Sequence, residues 1–207
     1  GLFSKEQHGF TKGKSCLTNL LETFEDWTKN LDEGMGIDAV YLDYRKAFDS
    51  VPLERLMIKL KAYGISGNLL LWIRNFLFDR NMRVVVNGKF SSWARVLSGV
   101  PQGSVLGPLL FLLFVNDIPE ELICKVKMFA DDTKIWSTIQ NVNDEMKLRN
   151  DLGILEEWSR KWLLSFNTDK CKVMRIGHKE STSYFLNGKE LLSTHSEKDL
   201  GVWVEDN

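Results

Sequence analysis

Two aspartates, Asp131 and Asp132, stand between a pair of β-forming segments, residues 125–129 and 134–136, so the chain must reverse on itself here within a few residues. A break that short between extended segments specifies a tight antiparallel hairpin, and a hairpin with apolar flanks must be completed by further strands or helices. Upstream, Val40-Tyr41-Leu42-Asp43 also ends an apolar strand in a carboxylate. Between the two lies Ser98-Gly99-Val100-Pro101-Gln102-Gly103-Ser104, a turn leading into an apolar segment. Each signal alone is weak, because paired aspartates are common in solvated turns. Three carboxylates at strand ends with one glycine-rich turn form a phosphoryl-transfer constellation.

The other elements follow from periodicity. Leu17, Leu20, Leu21, Phe24, Trp27 and Leu31 recur at helical spacing, with Ser15 as N-cap and Gly34 just past the end. Residues 37–43 read as a strand, and residues 53–63 and 69–78 as a helical pair. Residues 83–86 and 93–97 flank Asn87-Gly88, a hairpin turn signal. Gly107-Pro108 suits an N-cap and first helical residue, opening a helix over 108–116 that is apolar nearly all round and therefore buried. Leu148, Leu152, Leu155, Trp158 and Trp162 form the next helical stripe, followed by a strand at 172–176 and short strands around Asn187-Gly188 and near 200–204. Apart from the middle block the order is strand, helix, hairpin, helix, strand. That order matches a split βαβ arrangement, an antiparallel sheet backed by helices, in the α+β class.

The 207 residues, 43% hydrophobic, suffice for a full core. The longest apolar run, residues 109–115, is too short to cross a bilayer, and no secretory signal is visible, so an intracellular protein without membrane attachment is expected. Cys16, Cys124 and Cys171 are too scattered for a zinc site and too few for a disulfide framework, and read as packing. His8, His178 and His195 share no metal-binding spacing. The net charge of −1 counts against a nucleic-acid binder. Local clusters, Lys12 with Lys14 and Lys170 with Lys172 and Arg175, allow either a basic groove or an ordinary solvated surface.

Carboxylates at ~5 Å in an effective dielectric near 20 repel by roughly 3 kcal/mol per pair, so three together require a cation. Mg²⁺, a hard ion that prefers oxygen ligands, fits, and two such ions would serve phosphoryl transfer. Because neighbouring strand residues face opposite ways, Asp43 and Asp131 are expected as direct ligands, with Asp132 an auxiliary at the turn.

Tyr41-Leu42-Asp43-Tyr44-Arg45-Lys46-Ala47-Phe48-Asp49-Ser50-Val51, the glycine-rich segment from Ser98 through Pro108, and Phe129-Ala130-Asp131-Asp132-Thr133 resemble the successive A, B and C motifs of reverse transcriptases, above all those of LINE-type, CR1/jockey-like non-LTR retrotransposons. Gln7-His8-Gly9-Phe10, residues 158–170 and Glu197-Lys198-Asp199-Leu200-Gly201-Val202 extend the likeness over nearly the whole chain. The resemblance implies a right-hand polymerase palm with part of the fingers and no thumb. It makes Asp43, Asp131 and Asp132 the catalytic metal triad, with Mn²⁺ as an alternative to Mg²⁺. Phe48 falls at the steric gate against a 2′-hydroxyl, and Tyr44, Gln102 and Gly103 fall in the nucleotide pocket. Lys170 becomes a candidate proton donor to pyrophosphate, with a plain surface lysine as the competing reading. Leu200 and Gly201 open the primer grip.

The implied spans are a fingers part over 1–36, palm over 37–53, an insertion over 54–97, palm over 98–190 and the start of the primer grip over 191–207. The implied partners are an RNA template, a DNA primer and dNTPs, with nucleus and cytoplasm as compartments; nothing in the sequence specifies an oligomeric state. The missing initiator methionine suggests a fragment. Thr11 stands where the family carries an arginine, which puts one basic contact in doubt. Two competing functions are a catalytically silent remnant that binds nucleic acid and an RNA-dependent RNA polymerase; intact carboxylates oppose the first and Phe48 opposes the second. Taken singly, Asp43 could cap or pair, Phe48 could be core, Asp49 reads as a turn residue before Val51-Pro52, and Asp117 as structural.

Overall fold

The computed structural model describes residues 2–179 and 182–206. In chain order the elements are α1 (Cys16–Asp32), β1 (Gly36–Leu42), α2 (Ala47–Ser50), α3 (Leu53–Ala62), α4 (Gly67–Leu77), the two-residue strands β2 (Asn81–Met82), β3 (Val85–Val86), β4 (Lys89–Phe90) and β5 (Ala94–Arg95), then α5 (Leu106–Val115) and α6 (Ile118–Glu121). The chain continues with β6 (Lys125–Phe129), β7 (Asp132–Ile139), α7 (Val142–Trp162), β8 (Lys172–Ile176), β9 (Phe185–Leu186), β10 (Lys189–Glu190), β11 (Leu192–Ser193), β12 (Ser196–Asp199) and β13 (Val202–Glu205). Among the described residues no helix is long and apolar enough to cross a membrane.

The chain forms two compact units. One holds residues up to Arg45, Asn116–Lys161 and residues from Ser165 onward; the other holds Lys46–Val115 and Trp162–Leu164.

The first unit is built on a sheet of order β11-β8-β1-β7-β6, antiparallel except where β11 joins β8. Register sorts its faces. Ala39 of β1 lies opposite Trp136 and Met174, and Ile37 opposite Ile176. These residues share a core with Trp27 of α1 and Val204 of β13, where the Trp27 and Trp136 rings meet edge to face at 6.0 Å. Val40, Leu42, Ile135, Met128 and Val173, on the alternate positions, are also buried, so both faces of the sheet are covered.

α1 begins as expected at Ser15, whose side chain accepts from Thr18 N–H while the Thr18 hydroxyl accepts from Ser15 N–H, a capping box with threonine in place of glutamate. α7 buries Leu148, Leu152, Leu155 and Trp158, the stripe expected from spacing. The edge of β6 is not left open: Met128 accepts from His8 N–H at 2.8 Å and donates to Glu6 C=O at 3.0 Å.

In the second unit α5 is buried from Leu110 to Val115, with Leu109 of its first turn exposed, and it starts at Leu106 rather than Pro108. Ser104 Oγ accepts from Gly107 N–H at 2.9 Å and so does the capping expected of Gly107, while Pro108 sits within the first turn, where its missing N–H is harmless. The hairpin around Asn87-Gly88 also differs from expectation. Its two turn residues have φ of 48° and 74°, and such a two-residue turn must be flanked by immediate neighbours, so Val86 pairs with Lys89 rather than with the segment at 93–97. Asn81–Met82 and Ala94–Arg95 form a second, outer pair, closed where Val96 N–H reaches Arg80 C=O at 2.8 Å. Residues 98–115 pack with this unit because the glycine-rich turn bonds to the segment after Lys46: Val100 N–H donates to Phe48 C=O and Gly99 N–H to Val51 C=O, both at 2.8 Å.

Candidate active site

The β1–β7 register ends with Leu42 opposite Thr133, so Asp43, the residue after β1, and Asp132, the first of β7, come to the same end of the pair. Strand alternation carries Asp43 and Asp132 to the same side as Tyr41 and Lys134, and all four line one cavity. That face runs from apolar at Ile37 and Trp136 to charged at its other end. A cavity of about 290 Å³ opens there, lined by Asp43, Asp132, Lys134, Lys170, Asp199 and Leu200 among others.

The hairpin turn is Ala130-Asp131, and Asp132, expected at the turn, is instead the first residue of β7, paired with Phe129. Asp131 therefore lies outside the regular strand, and alternation does not force the two aspartates to opposite sides. Burial raises the Asp131 carboxyl first, with the Asp43 charge adding to it. Burial, followed by the charges of Asp131, Asp199 and Asp43, raises Asp132 to about 6.

Among the described residues no three His, Cys, Asp or Glu side chains converge closely enough to hold a metal ion. What Asp43 does present is a buried Oδ1 without a hydrogen-bond partner among the described atoms. An orphaned carboxylate oxygen beside mutually repelling carboxylates is a donor set that suits a hard divalent cation. The other Asp43 oxygen lies 3.6 Å from Lys170 Nζ, so the lysine read from the sequence as proton donor or surface residue is ion-paired to the site. Asp43 is fixed through its backbone: Asn167 N–H donates to its carbonyl at 2.7 Å, and its own N–H donates to Cys171 Sγ at 3.3 Å.

Tyr44, expected in the nucleotide pocket, is buried and stacks on Phe166 at 4.7 Å. Leu200 and Gly201, at φ 48° and 92°, form the two-residue turn between β12 and β13. In the other unit, Phe48 is half-buried and stacks on the buried Phe111 at 4.4 Å. Gln102 donates through Nε2 to Asp49 Oδ1 at 3.1 Å, and Gly103 takes φ 79° with open space where a Cβ would be. Asp49, read as a turn residue, thus also orients Gln102. Gly99 is required where it stands, since a Cβ there would lie 2.6 Å from the Asp49 carbonyl oxygen. Asp117 is structural as expected, accepting from Trp158 Nε1 at 3.0 Å. The three histidines sit apart, bonded to Thr18, Asp38 and Asp206.

Sequence reading missed the buried ion pair of Lys134 with Asp199, which ties β7 to β12 beside Asp132. The available signal was a lysine two positions after Asp132, on the same face of a strand otherwise read as apolar. Lys172 makes a second tie to this hairpin, 2.7 Å from Glu197.

The family model for reverse transcriptase (RNA-dependent DNA polymerase) matches residues 1–204. The chain is 29% identical over 211 residues to the RNA-directed DNA polymerase from mobile element jockey of Drosophila melanogaster, covering 96% of this chain and 22% of that protein. The jockey polymerase of Drosophila funebris is 31% identical over 176 residues, covering 80% of this chain and 19% of the relative. The chain thus spans about a fifth of the length of the curated relatives it matches. Among solved structures, telomerase from Candida tropicalis in complex with a TWJ fragment of telomeric RNA superposes with a TM-score of 0.64 at 11% identity, over 98% of this chain and 34% of that one. The apo telomerase of the same organism, truncated from its C-terminal domain, gives 0.60 at 13% identity, over 98% and 41%. At such identities the likeness is one of fold, and the fold is that of a polymerase palm.

Removing one partner of a buried ion pair leaves an uncompensated charge, so Lys134→Met is expected to cost about 3–5 kcal/mol in denaturant unfolding. The double variant Lys134→Met, Asp199→Leu should recover most of that loss. Asp132 supplies a pH test. A carboxyl raised in the folded state favours folding below the ordinary carboxylate range, and that contribution is lost as pH rises through about 6. Asp132→Asn should therefore melt higher than the unsubstituted protein near neutral pH in metal-free buffer, with the gap closing near pH 4; the margin should be small, because the carboxyl, although crowded by surrounding protein, still meets solvent that screens its charge. A gap that widened toward acid would refute the assignment.

Proposed function

The chain belongs to the reverse transcriptase family, in its LINE-type retrotransposon branch, and on that premise we propose that it carries the catalytic part of an RNA-directed DNA polymerase. It would transfer nucleotides from dNTPs to a DNA primer 3′-hydroxyl on an RNA template. The observation that supports this reading is the cavity at the end of the β1–β7 pair that Asp43 and Asp132 both line, with a buried Asp43 oxygen in need of a partner.

The family generally uses divalent metal ions. Asp43, Asp131 and Asp132, kept apart by mutual repulsion, would have to draw together to hold two Mg²⁺, or Mn²⁺ in their stead. Such ions, when bound, neutralise phosphate charge and lower the pKa of an attacking hydroxyl. The remaining roles fall to the chain's own groups. Phe48, braced on Phe111, has a ring that cannot readily swing aside, and under a sugar it would collide with a 2′-hydroxyl. Gln102, oriented by Asp49, would hydrogen-bond the nucleotide, and Gly103 leaves its backbone open to close approach. Lys170 would hold a proton on Nζ near Asp43 for transfer to the leaving pyrophosphate. The Leu200-Gly201 turn belongs to the hairpin tied to the carboxylate-bearing face, where a primer end would lie.

Primer extension on an RNA template, with the chain extended at both ends to the parent protein, tests the reading. Asp131→Ala should lose about three or more decades in rate, because a ligand of a two-metal centre contributes several kcal/mol. Persistent extension would overturn the triad. Phe48→Val should raise incorporation of ribonucleotides relative to deoxynucleotides by at least about tenfold while retaining extension. Unaltered sugar selection would remove Phe48 from the gate.

A further inference from the structure

The hairpin that carries Asp131 and Asp132 is held in shape from outside itself, through one buried amide. Ala130 adopts φ 56°, a left-handed conformation that an L residue with a Cβ keeps only where its surroundings impose it. The surroundings that do so come from the N-terminal segment. Gln7 is 2% exposed, and its Oε1 accepts from Ala130 N–H at 2.9 Å and from Gly9 N–H at 2.8 Å. Its Nε2 donates to Ala130 C=O at 3.4 Å. The carboxamide thus engages both backbone groups of Ala130, which needs a donor and an acceptor on one side chain.

Two further features hold the amide in place. The segment around Gln7 is laid along β6 by the backbone bonds of Met128 to Glu6 and His8. Gly9 presses on the same turn, since a Cβ at Gly9 would stand 2.3 Å from Ala130 N. Among the described residues, the hydrogen bonds of the buried Gln7 amide all go to the turn or to the segment that braces it.

We propose that Gln7 is a positioning residue of the active site, whose carboxamide fixes the Ala130 turn and thereby sets where Asp131 and Asp132 stand relative to Asp43. The inference rests on the reading of those carboxylates given above. Gln7 touches no reacting group and acts only through the turn.

The test uses the parent protein with Gln7→Leu, which removes all three bonds, and Gln7→Glu, which keeps an acceptor and loses the donor. In Gln7→Leu, amide hydrogen exchange in the peptide containing Ala130 and Asp131 should quicken at least about tenfold while exchange elsewhere is unchanged. Mn²⁺ affinity without nucleotide should weaken about 10-fold or more, as is typical when a group supporting a ligand is removed. Primer extension should lose kcat by a similar factor with the KM for dNTP within about twofold, and Gln7→Glu should fall between. Should Gln7→Leu fail to fold, Gly9→Ala, which keeps the amide but displaces the turn, carries the same expectations.

Turn exchange and Mn²⁺ affinity both unchanged, or exchange quickened equally across the whole protein, would overturn the positioning role. An unsubstituted protein that extends no primer, yet shows Gln7-dependent exchange and Mn²⁺ binding, would count against the polymerase reading and leave the positioning role standing.

Discussion

β1 and β7 stay in one register from Gly36 to Leu42, and that pairing couples two ends of a sheet face with opposite chemistry. At one end Ile37, Ala39 and Trp136 are buried against Trp27; at the other stand Asp43, Asp132 and Lys134. Both faces of the sheet are buried, so a slip of one residue would exchange the side chains that pack on each; packing on the two faces fixes the register, and the register fixes the carboxylates. Packing far from the chemistry is what decides which carboxylate meets which.

The charged end is held together by compromise. Asp131 and Asp132 both bind their protons more tightly than ordinary aspartates, because burial and neighbouring charge disfavour ionisation. Lys134 relieves part of this, but its own partner is Asp199, whose charge raises Asp132 in turn. The arrangement therefore keeps an unmet electrostatic demand at the sheet end while anchoring the β12–β13 hairpin beside it. Lys170 reaches Asp43 from an exposed position and can leave without disturbing that anchor.

Sequence carried the elements whose signals are local. The cap at Ser15, the Asn-Gly turns, the stripe of α7 and the strand ending at Asp43 were all legible, because each rests on spacing or on one turn residue. Errors fell where short-range rules compete. The onset of α5 moved to Leu106 because the Ser104 hydroxyl capped it, and the pairing around Asn87-Gly88 tightened because a two-residue turn admits no slack. The placement of Asp131 and Asp132 turned on a single residue of hairpin length, which alternation cannot supply. Long-range partnerships were not legible at all. Nothing near Gln7 announces that its amide closes on Ala130, 123 positions away, and nothing near Asp49 announces Gln102. Side-chain bonds between distant segments leave no periodic trace in either one.

The nested hairpins between Arg80 and Val96 leave and re-enter the unit at one point, where the two backbones are bonded to each other. Everything between is exposed, with Arg83 lying across the rings of Phe90 and Trp93. Because the ends meet, length added or removed inside this excursion costs only slowly growing closure entropy and transmits no displacement to the glycine-rich turn that follows. The fold thus contains a stretch whose size is decoupled from the rest, a place where a lineage can enlarge or re-decorate the domain while Ser98 through Ser104 stay as they are.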